Sequence, residues 1–214
     1  VPLTIRTEGG AGRTLGAHHS QSLEAWLMHI PGIKVVMPAT PADAKGLLKS
    51  SIRDDNPIVF IEHKMLYNTK GQVPDDEYLT PIGIADVKKE GSDVTVITYS
   101  RMVLFSLQAA EALEKEGISA EVIDVRTLLP LDKETIKKSI MKTNRVVIVE
   151  EDTKTAGTGA EIGMTIVEEC FDYLDAPVKR IAGADVPMPK APNLEKIAIP
   201  SPESIAEGIR EVMR

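Results

Sequence analysis

Residues 94–150 read VTVITYSRMVLFSLQAAEALEKEGISAEVIDVRTLLPLDKETIKKSIMKTNRVVIVE, and this stretch decides the fold class. It holds three short apolar runs, Val94–Tyr99, Ala120–Val125 and Val146–Glu150, set apart by two segments of helical period. The runs are close to continuous rather than alternating, as expected of strands covered on both faces. Asp132 sits where an N-cap belongs, and Ile136 and Ile140 repeat four residues apart on one helix face. Strands alternating with helices imply βαβ units, hence a mainly parallel sheet with right-handed crossovers. The fold class is α/β.

The same rhythm extends in both directions. Downstream, the spacing predicts a helix over Gly159–Tyr173 with Ile162, Ile166, Cys170 and Leu174 on one face, then a strand at Val178–Ile181. Ser201-Pro202-Glu203 opens a last helix that buries Ile205, Ile209 and Val212. Upstream lie strand-like runs at Leu3–Thr7, Lys34–Met37 and Ile58–Ile61. Leu23, Trp26, Leu27 and Ile30 suggest an amphipathic helix between the first two. Thr40-Pro41-Ala42-Asp43 starts another, with an apolar stripe of Ala44, Leu47, Leu48 and Ile52. Lys64–Ser92 breaks the pattern with Gly71, Pro74, Pro81, Gly83 and Gly91, and reads as a connector with extended structure at Ile82–Val87. The expected division is a first unit at 1–66, a linker at 67–92 and a complete β-α-β-α-β-α-β unit at 93–214. Three strands and two helices are too few for an independent doubly wound sheet, so the first unit is expected to lack its beginning. The chain opens on Val1-Pro2-Leu3 with no initiator methionine.

Composition excludes several classes. Apolar residues at 43% and charged residues at 27% are ordinary for a soluble globular protein. No apolar run approaches the length of a membrane span, and no basic, apolar leader is visible. A net charge of −7 without a basic stripe speaks against nucleic-acid binding. The single cysteine, Cys170, suits a reducing cytoplasm or organelle matrix and reads as a small core residue.

Two glycine clusters, Gly9-Gly10-Ala11-Gly12 and Gly157-Thr158-Gly159, each lie between a strand and a helix, where a phosphate-binding turn would be. Gly157-x-Gly159-x-x-x-Gly163 has one residue too many for a dinucleotide fingerprint, and neither cluster runs on into Gly-Lys-Ser/Thr. Tight turns with close backbone approach explain both as well. His18-His19, before Ser20-Gln21, occupies a strand-to-helix loop where an imidazole can transfer protons, steady negative charge or simply be solvated. His29 and His63 carry no such signal, and no His/Cys/Asp/Glu spacing suggests zinc. The turn Ser51-Ile52-Arg53-Asp54-Asp55-Asn56-Pro57 closes a helix; its terminal carbonyls and Asp54 could hold a hard cation, or form a plain turn.

Several strings in this order carry a resemblance: Gly16–Ala25 with its His-His-Ser-Gln, His29–Val36, Asp43–Lys49, Ile52–Pro57, Glu121–Asp132 and Gly157–Ile162. Together they resemble the β subunit of the thiamine-diphosphate-dependent decarboxylating component of pyruvate, branched-chain 2-oxo acid and acetoin dehydrogenase complexes, over essentially the whole chain. The resemblance implies an incomplete pyrimidine-binding unit followed by a transketolase C-terminal-like domain. It implies an α2β2 enzyme that decarboxylates a 2-oxo acid and transfers the acyl group to lipoyl groups on an acyltransferase core. Thiamine diphosphate would lie at the α–β interface, with Mg2+ held by the α subunit; no Gly-Asp-Gly stands in this chain. The family's activating β-subunit glutamate falls upstream of residue 1, leaving no cofactor-binding residue to assign here. The resemblance places an active-site histidine on His19. It also places a structural K+ on Ser51, Ile52 and Asn56, with Asp54 close by. Docking onto the acyltransferase core would involve acids such as Glu203, Glu207 and Glu211, which otherwise form a solvated face. A catalytically inactive dimerisation and docking module is the competing expectation, and a dinucleotide-binding protein the third.

Overall fold

The computed structural model describes all 214 residues. Two sheets carry the chain. The first has the order β1 (Thr4–Gly9), β3 (Ile58–His63), β2 (Lys34–Val36), β7 (Thr127–Leu129), with β1, β3 and β2 parallel and β7 antiparallel. The second has the order β4 (Asp86–Lys89), β6 (Ala120–Asp124), β5 (Val94–Thr98), β8 (Val146–Thr153), β9 (Lys179–Gly183), parallel except for β4 at one edge. Fully buried β5 and β6, and β8 buried at all but its last residue, explain the continuous apolar runs. The extended stretch expected at Ile82–Val87 stands slightly later, as β4 of the second sheet.

Helices cover the second sheet as the periodicity indicates. α3 (Arg101–Glu114), α4 (Lys133–Thr143), α5 (Thr158–Cys170), α6 (Pro192–Ala198) and α7 (Pro202–Met213) lie in the second half. Asp132 caps α4 by accepting the Thr135 N–H at 3.1 Å, and Ser201 caps α7 through Ser204 N–H at 3.2 Å. Ile162, Ile166 and Cys170 are buried along α5, and burial pushes the Cys170 thiol up.

Two helices of the first unit depart from their expected faces. In α2 (Pro41–Ile52) only Leu47 of the four-residue stripe is fully buried, while Ile52 is 65% exposed. Asp43, Gly46 and Ser51 face inward instead, because Arg126 and Lys88 draw the Asp43 carboxylate in at 3.0 and 2.6 Å. Helix α1 is short (Glu24–Met28), and Trp26 is 73% exposed. Its one buried residue is Glu24, which accepts the Tyr99 hydroxyl at 3.1 Å.

The two units share a core. Val35, Met37, Val59 and Ile61 of the first sheet pack in one cluster with Ile97, Ile123, Leu128 and Ile148. β7, which belongs to the second half, completes the first sheet's edge. Arg126 pins the crossing: its guanidinium donates to the carbonyls of Ile84 and Ala85 as well as to Asp43. None of the helices is long and apolar enough to cross a membrane.

Candidate functional site

Parallel strands end together, so the loops that follow β1, β3, β5 and β8 meet on one side of the molecule. In the second sheet the chain leaves β5 for β6 on one flank and returns to β8 on the other. The crevice at that switch point is where an α/β sheet ordinarily takes a ligand. Here it is filled by the Gly9–Gly12 loop of the first unit. Ala11 N–H donates to Glu151 Oε1 at 2.6 Å, and Arg101 Nη1 donates to the Ala11 carbonyl at 3.3 Å. Gly10 (φ +86°) lies so close to His63 that a Cβ would sit 2.1 Å from Nε2.

Further N–H groups of these loops are likewise spent on the chain's own acids. Gly12 and Thr14 donate to Glu195, each at 2.9 Å, and Gly159 donates to Glu150 at 2.6 Å. Arg180 balances Glu150 from the other side at 2.7 Å. A phosphate at either glycine turn would have to displace an internal carboxylate. Neither loop is a diphosphate cradle, and the tight-turn reading of both is the physical one.

Behind the crevice lies a buried titratable cluster. Met65 N–H donates to His63 Nδ1 at 3.1 Å, which leaves Nε2 to donate to Glu151 at 3.0 Å. Burial works to raise Glu151, but His63, the Ala11 amide and Arg101 outweigh it and hold it below the usual carboxylate range. Glu24 has no cation; burial and then the neighbouring Asp152 push it up to about 8. Burial carries Asp152 to about 6. One carboxylate is therefore kept ionised and another kept protonated within the same cluster.

An open cleft of about 1060 Å³ runs from α1 to the ends of β8 and β9, lined by Ser20, Gln21, Trp26, His29, Asp152 and Thr158 among others. Ala17 and Ser20, which flank the His18-His19 pair, both line it. The His19 side chain is exposed at this rim, its ring 4.5 Å from that of His18. The other predicted site lies elsewhere. Ser51, Ile52, Asp54 and Asn56 sit where β1, β2 and β3 begin, a strand length of roughly 20 Å from the His loop. The Ser51 carbonyl there accepts the Thr4 hydroxyl at 2.9 Å and the Asp54 N–H at 3.3 Å. Lys34 pairs with Asp54 at 2.5 Å, and with two donors from Asn56 it holds that carboxyl at about 2. Glu203, Glu207 and Glu211 are exposed, with Glu207 and Glu211 already paired to Arg210 and Lys179. Sequence reasoning missed Glu24, His63, Lys64, Arg101, Glu151 and Glu195. The available signal was Glu150-Glu151-Asp152, three acids at the end of a buried parallel strand.

A family model for the pyrimidine-binding domain of transketolase matches residues 1–70, and one for the transketolase C-terminal domain matches residues 83–205. The chain belongs to the transketolase C-terminal domain family. It is 51% identical over 214 residues to subunit beta-2 of the mitochondrial pyruvate dehydrogenase E1 component of rice, covering 98% of this chain and 57% of that one. It is also 51% identical to the 2-oxoisovalerate dehydrogenase subunit beta of Bacillus subtilis, over 99% of this chain and 65% of that one. The chain thus spans about three fifths of the length of these relatives. Among solved structures, a split-gene transketolase described as an inactive beta4 tetramer superimposes with a TM-score of 0.81 at 26% identity, over 98% of this chain and 66% of that one. A Pichia stipitis transketolase shares the fold at a TM-score of 0.66 and 17% identity, over 99% of this chain and 30% of that one. The β-subunit resemblance and the α/β architecture expected from the sequence are both borne out.

Proposed function

We propose that this chain is the C-terminal portion of the β subunit of a thiamine-diphosphate-dependent 2-oxo acid dehydrogenase. With an α subunit it would decarboxylate a 2-oxo acid oxidatively and pass the acyl group to lipoyl groups of an acyltransferase core. The observation that carries this reading is 51% identity along nearly the whole chain to β subunits of two such enzymes. The reading places the work in a bacterial or archaeal cytoplasm or an organelle matrix; the rice relative's name includes "mitochondrial".

His19 is the residue assigned to chemistry. Its exposed imidazole, on a loop whose neighbours line the cleft, can steady a substrate carboxylate or an intermediate and assist acyl transfer. Thiamine diphosphate supplies the electron sink when bound at the α–β interface. Its diphosphate and Mg2+ are assigned to the α subunit in an α2β2 assembly, since the glycine turns of this chain are closed by Glu150, Glu151 and Glu195. The backbone carbonyls of Ser51, Ile52 and Asn56, beside Asp54, are assigned to a structural K+, with Lys34 as its built-in competitor. Potassium in place of sodium is then expected to raise the melting temperature by a few degrees, and equal melting in the two salts sinks the ion assignment.

The second reading is an inactive dimerisation and docking module, and the inactive beta4 tetramer of the split-gene transketolase favours it. Mixing the chain with an α subunit and measuring thiamine diphosphate binding and 2-oxo acid turnover separates the two. Turnover that collapses in His19→Gln supports the enzyme reading. Self-association without turnover supports the module.

A further inference from the structure

A buried lysine that serves no acid needs a reason. Lys64 is 2% exposed, although it follows β3 directly at the edge of the loop cluster. Its ammonium donates to one group, the backbone carbonyl of His19. Burying an ammonium is costly, and a single neutral carbonyl offsets little of that cost. The contact does its work on the loop.

The rest of Lys64 is fixed with unusual care. It opens a three-residue 3-10 turn, Lys64–Leu66, that the preceding His63 caps by accepting the Met65 N–H. His63 is in turn tied to Glu151 of the second sheet. Arg13 Nη2 donates to the Lys64 carbonyl at 3.0 Å. The loop bearing His19 has two further tethers, both between backbone groups: His19 N–H to the Gly16 carbonyl and Gly10 N–H to the Gln21 carbonyl, each at 3.2 Å. The contact from Lys64 is the side-chain tether at His19 itself. It leaves the imidazole exposed while pinning the peptide that carries it.

We propose that Lys64 is a positioning residue for His19, itself held by the His63–Glu151 pair that joins the two units. The inference rests on the reading of His19 as the chemical residue, so the experiment tests the two separately. Lys64→Met keeps length and apolar volume and removes the donors. Lys64→Leu, which likewise removes the donors, is the second variant if the first fails to fold. In the full-length β subunit assembled with its α subunit, Lys64→Met is expected to lower kcat for acyl transfer roughly tenfold to a hundredfold, the penalty of a misplaced catalytic group. KM for the 2-oxo acid should change less than about twofold. Amide hydrogen exchange across residues 16–21 should quicken while β3 and β8 stay protected. In a His19→Gln background Lys64→Met should cost nothing further, because it acts through His19. Unchanged exchange at residues 16–21 in a folded Lys64 variant overturns the proposal, as does a loss that persists fully in the His19→Gln background. If His19→Gln alone keeps full activity, the reading of His19 fails, while the exchange measurement still decides whether Lys64 holds the loop.

Discussion

At the scale of single residues, burial governs the chemistry more than sequence neighbours do. Glu24 stands on a five-residue helix beside an exposed tryptophan, yet it is buried and pushed up to about 8. The folded chain therefore keeps a proton that the unfolded chain releases near the ordinary value of 4.5. The folded state binds more protons between those two values, so stability falls as pH rises from about 4.5 to 8. Glu24→Gln removes that titration and retains an acceptor for the Tyr99 hydroxyl. Its unfolding free energy from urea titration should approach or match the parent's near pH 5 and exceed it increasingly toward pH 8, by a few kcal/mol at about 1.4 kcal/mol per pKa unit. Asp124, raised to about 7, titrates in both proteins and cancels, whereas Asp152, which helps to raise Glu24, responds to its loss, so the difference reads the Glu24–Asp152 pair. Parallel pH profiles for the two proteins would contradict the assignment. Gly10 offers a test of packing rather than charge. Gly10→Ala meets both a left-handed φ and the His63 ring, and should cost about 3 kcal/mol or more by thermal unfolding. A loss under about 1 kcal/mol would mean that His63 can move aside without consequence.

At the scale of elements, the sequence was legible where the local pattern and the packing agree. Strands β5, β6 and β8 are covered on both faces and announce themselves as continuous apolar runs; α7 buries Ile205, Ile209 and Val212 as its period demands. The pattern misleads where one ionic contact outweighs an apolar stripe, as when Arg126 and Lys88 turn α2 toward Asp43. β7 was hidden for another reason. Thr127–Leu129 is too short to read as a strand, and its partner β2 lies about ninety residues earlier. His19 could be singled out because its loop belongs to a recognisable string, whereas the Lys64 tether depends on contacts between distant loops. The glycine turns are the sharpest case. Their position between a strand and a helix invites a phosphate, although their spacing does not fit one, and an aspartate or glutamate from elsewhere in the chain reaches them first. Millimolar NAD should accordingly leave the melting temperature within a degree of the ligand-free value. Stabilisation by several degrees would show that an internal carboxylate can be displaced, and would revive the dinucleotide reading.

At the scale of the whole molecule, two units that match two separate family models share one core. Val35 and Val59 of the first sheet share a cluster with Ile123 and Ile148 of the second, so neither sheet can expose its inner face alone. Leu128 of β7 is fully buried in that cluster, on a strand that leaves the second half to pair with the first. Arg126, two residues before it, joins α2 to the approach of β4, and Glu151 joins β8 to His63 at the end of β3. Each of these ties must break before either unit unfolds separately. The chain should therefore melt in one transition, with calorimetric and van't Hoff enthalpies in agreement. Leu128→Ala provides the sharper check, because it leaves a cavity at the junction worth roughly 2–5 kcal/mol. The amides of Val59–Ile61 and those of Val147–Val149 should lose protection together and by similar factors. Faster exchange confined to the second sheet, or two resolved melting steps, would show that the shared core does not couple the units. The Lys64 tether, which lies wholly within the first unit, would then fix His19 to the first sheet alone, and not to the cleft wall that β8 and β9 supply.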